Sequence, residues 1–132
     1  MAHFLGTWKL KESDNFDAVL QKLGVNIVKR KLITSSKPEV TFTLEGDQMT
    51  LKTCSALKTT EITFEFGKEF QEKTADDRTV MSTVTKDSDS KITQVQKHPN
   101  SVTTIVREVS GDTLTATVTV EDVKAVNTYQ KQ

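Results

Sequence analysis

The sequence predicts an all-β fold: a ten-stranded antiparallel up-and-down barrel, or β-clam, with a helix-turn-helix lid between its first two strands. Three observations carry this expectation. After Pro38 the chain is a succession of short segments in which residue character alternates with the two-residue period of a strand. Turn-forming clusters separate them, notably Glu45-Gly46-Asp47, Phe66-Gly67-Lys68, Asp87-Ser88-Asp89-Ser90 and Ser110-Gly111-Asp112, and connections this short join antiparallel neighbours. Helical spacing of apolar residues occurs in one region only, between Ser13 and Pro38.

The first strand is "FLGTWKLKE". In "DNFDAVLQKLG" that follows, Phe16, Val19, Leu20 and Leu23 fall at i, i+3, i+4 and i+7, with Ser13 or Asp14 as the expected N-cap and Gly24 as the stop. In "NIVKRKLIT", Asn26 can cap a second helix in which Val28 and Leu32 share a face and Lys29, Arg30 and Lys31 cluster between them. Pro38 marks its end. Two helices this short form a hairpin too small to be a core by themselves. The remaining strands are "EVTFTLE", "QMTLKTCS", "TEITFEF", "FQEKT", "RTVMSTVTK", "KITQVQKH", "VTTIVREV", "TLTATVTV" and "VKAVNTYQK". A sheet of this size curls, and closure removes edges that would template aggregation. About eight strands give an interior that side chains just fill. Ten should leave a cavity, because six Phe, one Tyr and one Trp are too few large residues to plug it.

Composition narrows the function classes. The 132 residues show no Gly/Pro/Ser-rich break, so a single domain over residues 1–132 is expected. Eighteen basic and eighteen acidic residues cancel, so no global field favours nucleic acid. There is no signal-peptide pattern, no apolar run near the ~20 residues of a membrane span, no N-x-[ST] sequon, and a single cysteine, Cys54. These features point to the cytoplasm. No metal-ligand spacing, phosphate-binding glycine loop or nucleophile elbow is present, and His3 and His98 have no partners suggesting catalysis. Neither an enzyme nor a metal or cofactor is expected.

The chemistry instead collects on two strands. In "TTIVREV", Thr103, Ile105, Arg107 and Val109 share one face and Thr104, Val106 and Glu108 the other. If Ile105 and Val109 point inward, so does Arg107; otherwise Val106 marks the inner face and Arg107 is solvated. An inward guanidinium keeps its charge and needs water or an anion, and its planar fork matches a carboxylate. In the last strand Val123, Ala125, Asn127 and Tyr129 form the uncharged face. Tyr129 can donate to a carboxylate oxygen and Asn127 can donate or accept. The alternative is a merely polar strand edge.

The stretches "FLGTWKL", "SDNFDAVLQKLGV", "KPEVTFT", "FGKEFQEKTADDRTV", "TIVREV" and "NTYQK" together resemble the intracellular fatty-acid-binding proteins, of the heart or muscle branch and the flatworm members, essentially end to end. The resemblance implies a monomeric carrier holding one long-chain fatty acid in a partly water-filled cavity. Its carboxylate would be held by two arginines and a tyrosine. Arg107 and Tyr129 match two of these, and the second arginine falls at Asn127. Portal positions fall on Phe16, Leu20, Leu57, Lys58, Ala75 and Asp76, and further cavity positions on Pro38, Thr53, Arg78, Ala116 and Val118. Ala116 stands where a larger residue is usual, which should widen the lumen. Lys22, Lys29, Arg30 and Lys31 are the cations that would approach anionic membranes. Two other readings are a carrier of a neutral lipid or retinoid, and a barrel used only for protein interaction.

Overall fold

The computed structural model describes residues 1–132. A single 3-10 turn, Ala2–Phe4, precedes strand β1 (Gly6–Asp14). Helices α1 (Phe16–Lys22) and α2 (Ile27–Ser35) follow, and then β2 (Glu39–Glu45), β3 (Gln48–Cys54), β4 (Thr59–Phe64), β5 (Phe70–Lys73) and β6 (Thr79–Ser88). The chain finishes with β7 (Lys91–His98), β8 (Ser101–Ser110), β9 (Thr113–Val120) and β10 (Val123–Lys131). All ten strands are antiparallel in the order β4-β3-β2-β1-β10-β9-β8-β7-β6-β5. Strand number, direction and lid position are those expected from the sequence.

Closure is incomplete, which corrects the expectation that every neighbour in sequence pairs. The sheet begins at β4 and ends at β5, and no ladder joins them. Aromatic side chains span part of this seam: Phe64 stacks on Phe70 at 5.6 Å between ring centroids and meets Phe66 edge-on at 5.8 Å. Side-chain contact there replaces backbone pairing.

One end of the barrel is filled by apolar side chains. Phe4, Trp8, Phe42, Met49, Phe64, Val84, Ile92 and Leu114 are buried together, with Phe4 and Phe42 edge to face. Trp8 Nε1 donates to the Phe4 carbonyl at 2.9 Å, so the indole is buried without an orphaned donor and ties the N-terminal turn to the barrel. A smaller cluster of Val19, Val118, Val120 and Ala125 packs α1 onto β9 and β10. Helix α2 buries none of its residues.

Two local features depart from simple patterning. The N-cap of α1 is Asn15, in the left-handed region at φ 66°, rather than Ser13 or Asp14, and its side-chain amide donates to the Lys124 carbonyl at 2.9 Å. The expected Asn26 cap does form, accepting from the Lys29 N–H at 2.9 Å. In β1 the pairing with β10 shifts between Leu10 and Glu12. That bulge puts Leu10 opposite Tyr129 and Ser13 opposite Asn127, so residues three apart line the same cavity.

Candidate functional site: a polar cluster in an internal cavity

Between the packed end and the helical lid lies a cavity of about 260 Å³. Strand alternation decides what faces it. On β8 the inward face carries Thr103, Ile105, Arg107 and Val109; on β10, Ala125, Asn127 and Tyr129. Register then aligns the key groups laterally, because Arg107 and Asn127 are both paired with Ala116. Ser13 lies beyond Asn127, so β8, β9, β10 and β1 contribute Arg107, Ala116, Asn127 and Ser13 as one row. With about 4.8 Å between strands, the two polar groups flanking Ala116 are about 10 Å apart at the backbone. Only a methyl group stands between them.

Arg107 lies deep in the barrel with part of its surface open to the cavity. Its Nη1 donates to Gln94 Oε1 at 2.7 Å. The Gln94 amide is itself fully buried and passes the contact on, donating from Nε2 to Glu72 Oε1 at 2.8 Å. The same carboxylate oxygen accepts from Ser82 Oγ at 2.7 Å and Gln96 Nε2 at 3.1 Å. Burial moves the Arg107 guanidinium below its usual range, opposed by Tyr129 and Glu72, and moves the Tyr129 phenol up against the opposing charge of Arg107. Tyr129 is therefore a neutral hydroxyl. Asn127 Oδ1 accepts from Ser13 Oγ at 2.5 Å.

The cavity wall includes Phe16, Leu20, Pro38, Thr53, Leu57, Lys58, Ala75, Asp76, Arg78, Ala116 and Val118, together with Arg107, Asn127 and Tyr129. Further polar groups were not expected. Glu72, Gln94 and Gln96 extend the polar cluster across β5 and β7, and Glu72 adds a carboxylate deep in the barrel, away from Asp76 at the mouth. The available signal was the shared face of Phe70 and Glu72 in "FQEKT". Ser36 Oγ, Thr103 Oγ1 and Arg78 Nη1 are buried on the cavity wall with no protein partner, positions where water or a ligand oxygen would satisfy them.

The mouth lies among α2, the β3–β4 turn and the β5–β6 turn. Asp77, at φ 68° in the last of these, accepts from Lys29 Nζ of α2 at 2.8 Å and from Lys58 Nζ at 2.7 Å. These bonds hold its carboxyl far below the usual range. Beside it Arg78 Nε pairs with Asp76 at 2.6 Å. Burial would raise the Asp76 carboxyl, but hydrogen bonds from Arg78 and Thr74 outweigh it and the net direction is down. Exposed Ile27, Val28, Leu32 and Leu57 surround this region. Most of the nearby cations are already paired: Lys22 with Glu121 and Asp122, Lys29 with Asp77, and Arg30 with Asp17. Cys54, on β3, is exposed.

A cavity with a largely aliphatic wall and a buried guanidinium, enclosed by ten strands under a helical lid, defines a lipid-binding β-clam. Residues 5–132 match the model of the lipocalin / cytosolic fatty-acid binding protein family, and the chain belongs to that family. It is 70% identical over 131 residues, 99% of each chain, to fatty acid-binding protein type 3 of Fasciola hepatica. The 14 kDa fatty acid-binding protein of Schistosoma mansoni is 53% identical, covering 99% of this chain and 98% of that one. The solved structure of a Schistosoma mansoni fatty acid binding protein in complex with arachidonic acid superposes with a TM-score of 0.99 at 53% identity, covering 100% of this chain and 98% of that chain. These relatives are fatty acid-binding proteins.

Proposed function

We propose that the chain is a monomeric, non-catalytic cytoplasmic carrier, a single barrel domain over residues 1–132 that takes one long-chain fatty acid into its cavity and has no role with nucleic acid. Arg107 anchors the head group, Tyr129 donates a hydrogen bond, and Asn127 serves where the family resemblance implies a second arginine. The tail runs along Pro38, Thr53, Arg78, Ala116 and Val118 toward a portal formed by Phe16, Leu20, Leu57, Lys58, Ala75 and Asp76. The observation that carries this reading is a buried guanidinium at the head of an otherwise mainly apolar cavity. The guanidinium has donors left over after its bond to Gln94, and a polar head that accepts them, with an apolar tail behind it, suits the lining.

The same reading includes transient contact with anionic membranes. Exposed Ile27, Val28 and Leu32 on α2 favour shallow insertion, while ion pairing of Lys22, Lys29 and Arg30 leaves Lys31 as the most available cation of the four.

Titration with a fluorescent long-chain fatty acid tests the anchor. A charge-assisted hydrogen bond contributes ~1.5–3 kcal/mol, so Arg107→Ala should weaken binding roughly ten- to a hundredfold. Unchanged affinity in a folded variant rejects Arg107 as the anchor, and no binding by the wild type rejects the carrier.

A further inference from the structure

The charges at the deep end of the cavity already balance before any ligand enters. Five charged side chains line it: Lys58, Glu72, Asp76, Arg78 and Arg107. Lys58 is engaged with Asp77 at the mouth at 2.7 Å, and Arg78 with Asp76 at 2.6 Å. The deep end therefore holds one cation, Arg107, and one anion, Glu72, linked through the Gln94 amide by bonds of 2.7 and 2.8 Å. The other groups facing them are neutral on every surrounding element. These are Leu10 and Ser13 from β1, Ser82 from β6, Gln96 from β7, Thr103 and Ile105 from β8, Leu114 and Ala116 from β9, and Asn127 and Tyr129 from β10. Asn127 adds hydrogen-bonding capacity without charge, and its Oδ1 is already engaged by Ser13 Oγ.

A carboxylate placed beside Arg107 would be a second anion sharing one cation. A site this deep screens the imbalance poorly, which favours neutralising or excluding one negative charge. Hydrogen-bond geometry asks for no charge: the guanidinium fork supplies donors, and the neutral Tyr129 phenol and Asn127 amide can donate or accept.

We propose that this head-group site is selective for an uncharged hydrogen-bonding head, namely an amide, a hydroxyl, or a carboxylic acid that enters together with one proton taken from solvent. The inference rests on the carrier reading for its acid arm. It assigns the determinant to the Glu72–Gln94–Arg107 chain and to the neutral residue at 127. An ordinary carboxylic acid titrates near pH 4.3, so its neutral form becomes about tenfold scarcer with each pH unit above that.

The test is isothermal titration of the full chain with oleate, oleamide and oleyl alcohol between pH 6.0 and 8.5, in phosphate and in Tris, whose ionisation heats differ. Oleate should take up about one proton per molecule bound and weaken by up to about tenfold per pH unit, while the amide and the alcohol do neither. Glu72→Gln and Asn127→Arg should each remove the proton uptake and flatten the oleate profile. Oleate bound with a flat profile and no proton uptake by the wild type overturns this inference and leaves the carrier reading intact. Oleamide or oleyl alcohol bound while oleate is refused removes the fatty acid and supports the uncharged head. Binding of none of the three overturns both.

Discussion

Gln94 is 1% exposed and is the sole direct bridge between two oppositely charged groups that do not touch. Replacing it with methionine keeps the volume and removes both contacts. Each hydrogen bond to a charged group contributes ~1.5–3 kcal/mol, giving a gross loss of ~3–6 kcal/mol. Glu72 keeps its donors from Ser82 at 2.7 Å and Gln96 at 3.1 Å, and Arg107 still faces the cavity, which favours the lower end. A loss of ~3 kcal/mol is a large part of the ~5–15 kcal/mol that stabilises a domain. For a chain of this length it corresponds to a fall of about 12 °C in Tm. Thermal unfolding of the ligand-free protein, followed by circular dichroism, measures it. Gln96→Met, which removes one contact to the same carboxylate oxygen, should cost about half as much. A drop below about 4 °C for Gln94→Met, or a larger drop for Gln96→Met, would refute the bridging argument.

Asp77 ties α2 to the β3–β4 turn through two lysines, so Asp77→Asn should loosen the mouth, with faster fatty-acid release and faster amide exchange across Ile27–Ser35 but little change in global unfolding. The difference should shrink in 1 M salt, where screening acts within about 3 Å, and equal release rates at low salt would count against a clasp. Because the folded carboxyl is held below its unfolded value of about 3.9, the contribution is present above that value and is lost as pH falls through the lower folded one. Release should therefore be insensitive to pH between about 5 and 7. The paired substitution Val28→Ser and Leu32→Ser removes the apolar part of the α2 surface, exposed to 68% and 48%. Burying roughly a kcal/mol of apolar surface per residue, about 2 kcal/mol for the pair, implies about thirtyfold slower transfer of a fluorescent fatty acid to anionic vesicles, and an unchanged rate would assign transfer to diffusion through water.

Some of the site was legible because strand alternation is a local rule. Ile105 and Val109 fix the side of β8 on which Arg107 lies, and Ala125 does the same for Asn127 and Tyr129. The rule misleads in "KITQVQKH", where an apolar reading pulls Ile92 and Val95 inward although they lie on opposite faces. In the fold Ile92, Gln94 and Gln96 are buried, and Val95 is only partly covered. Buried glutamines are readable only once their partner is known, and that partner, Glu72, comes from β5 across the intervening β6.

The sequence by itself determined the number and direction of the strands and the helical lid, and it put Arg107 on one face with Ile105 and Val109, and Asn127 and Tyr129 on one face with Ala125, without deciding which face is inward. Turn chemistry and the two-residue period act over a few neighbouring positions, and those are sufficient for such features. Tertiary structure decided the unpaired seam between β4 and β5, the bulge that carries Ser13 to Asn127, the lysine clasp on Asp77, and the relay from Arg107 to Glu72. Each depends on register and distance between strands or turns remote in sequence. Electrostatic balance in the cavity belongs with these, since a charge acts on whatever lies near it in space.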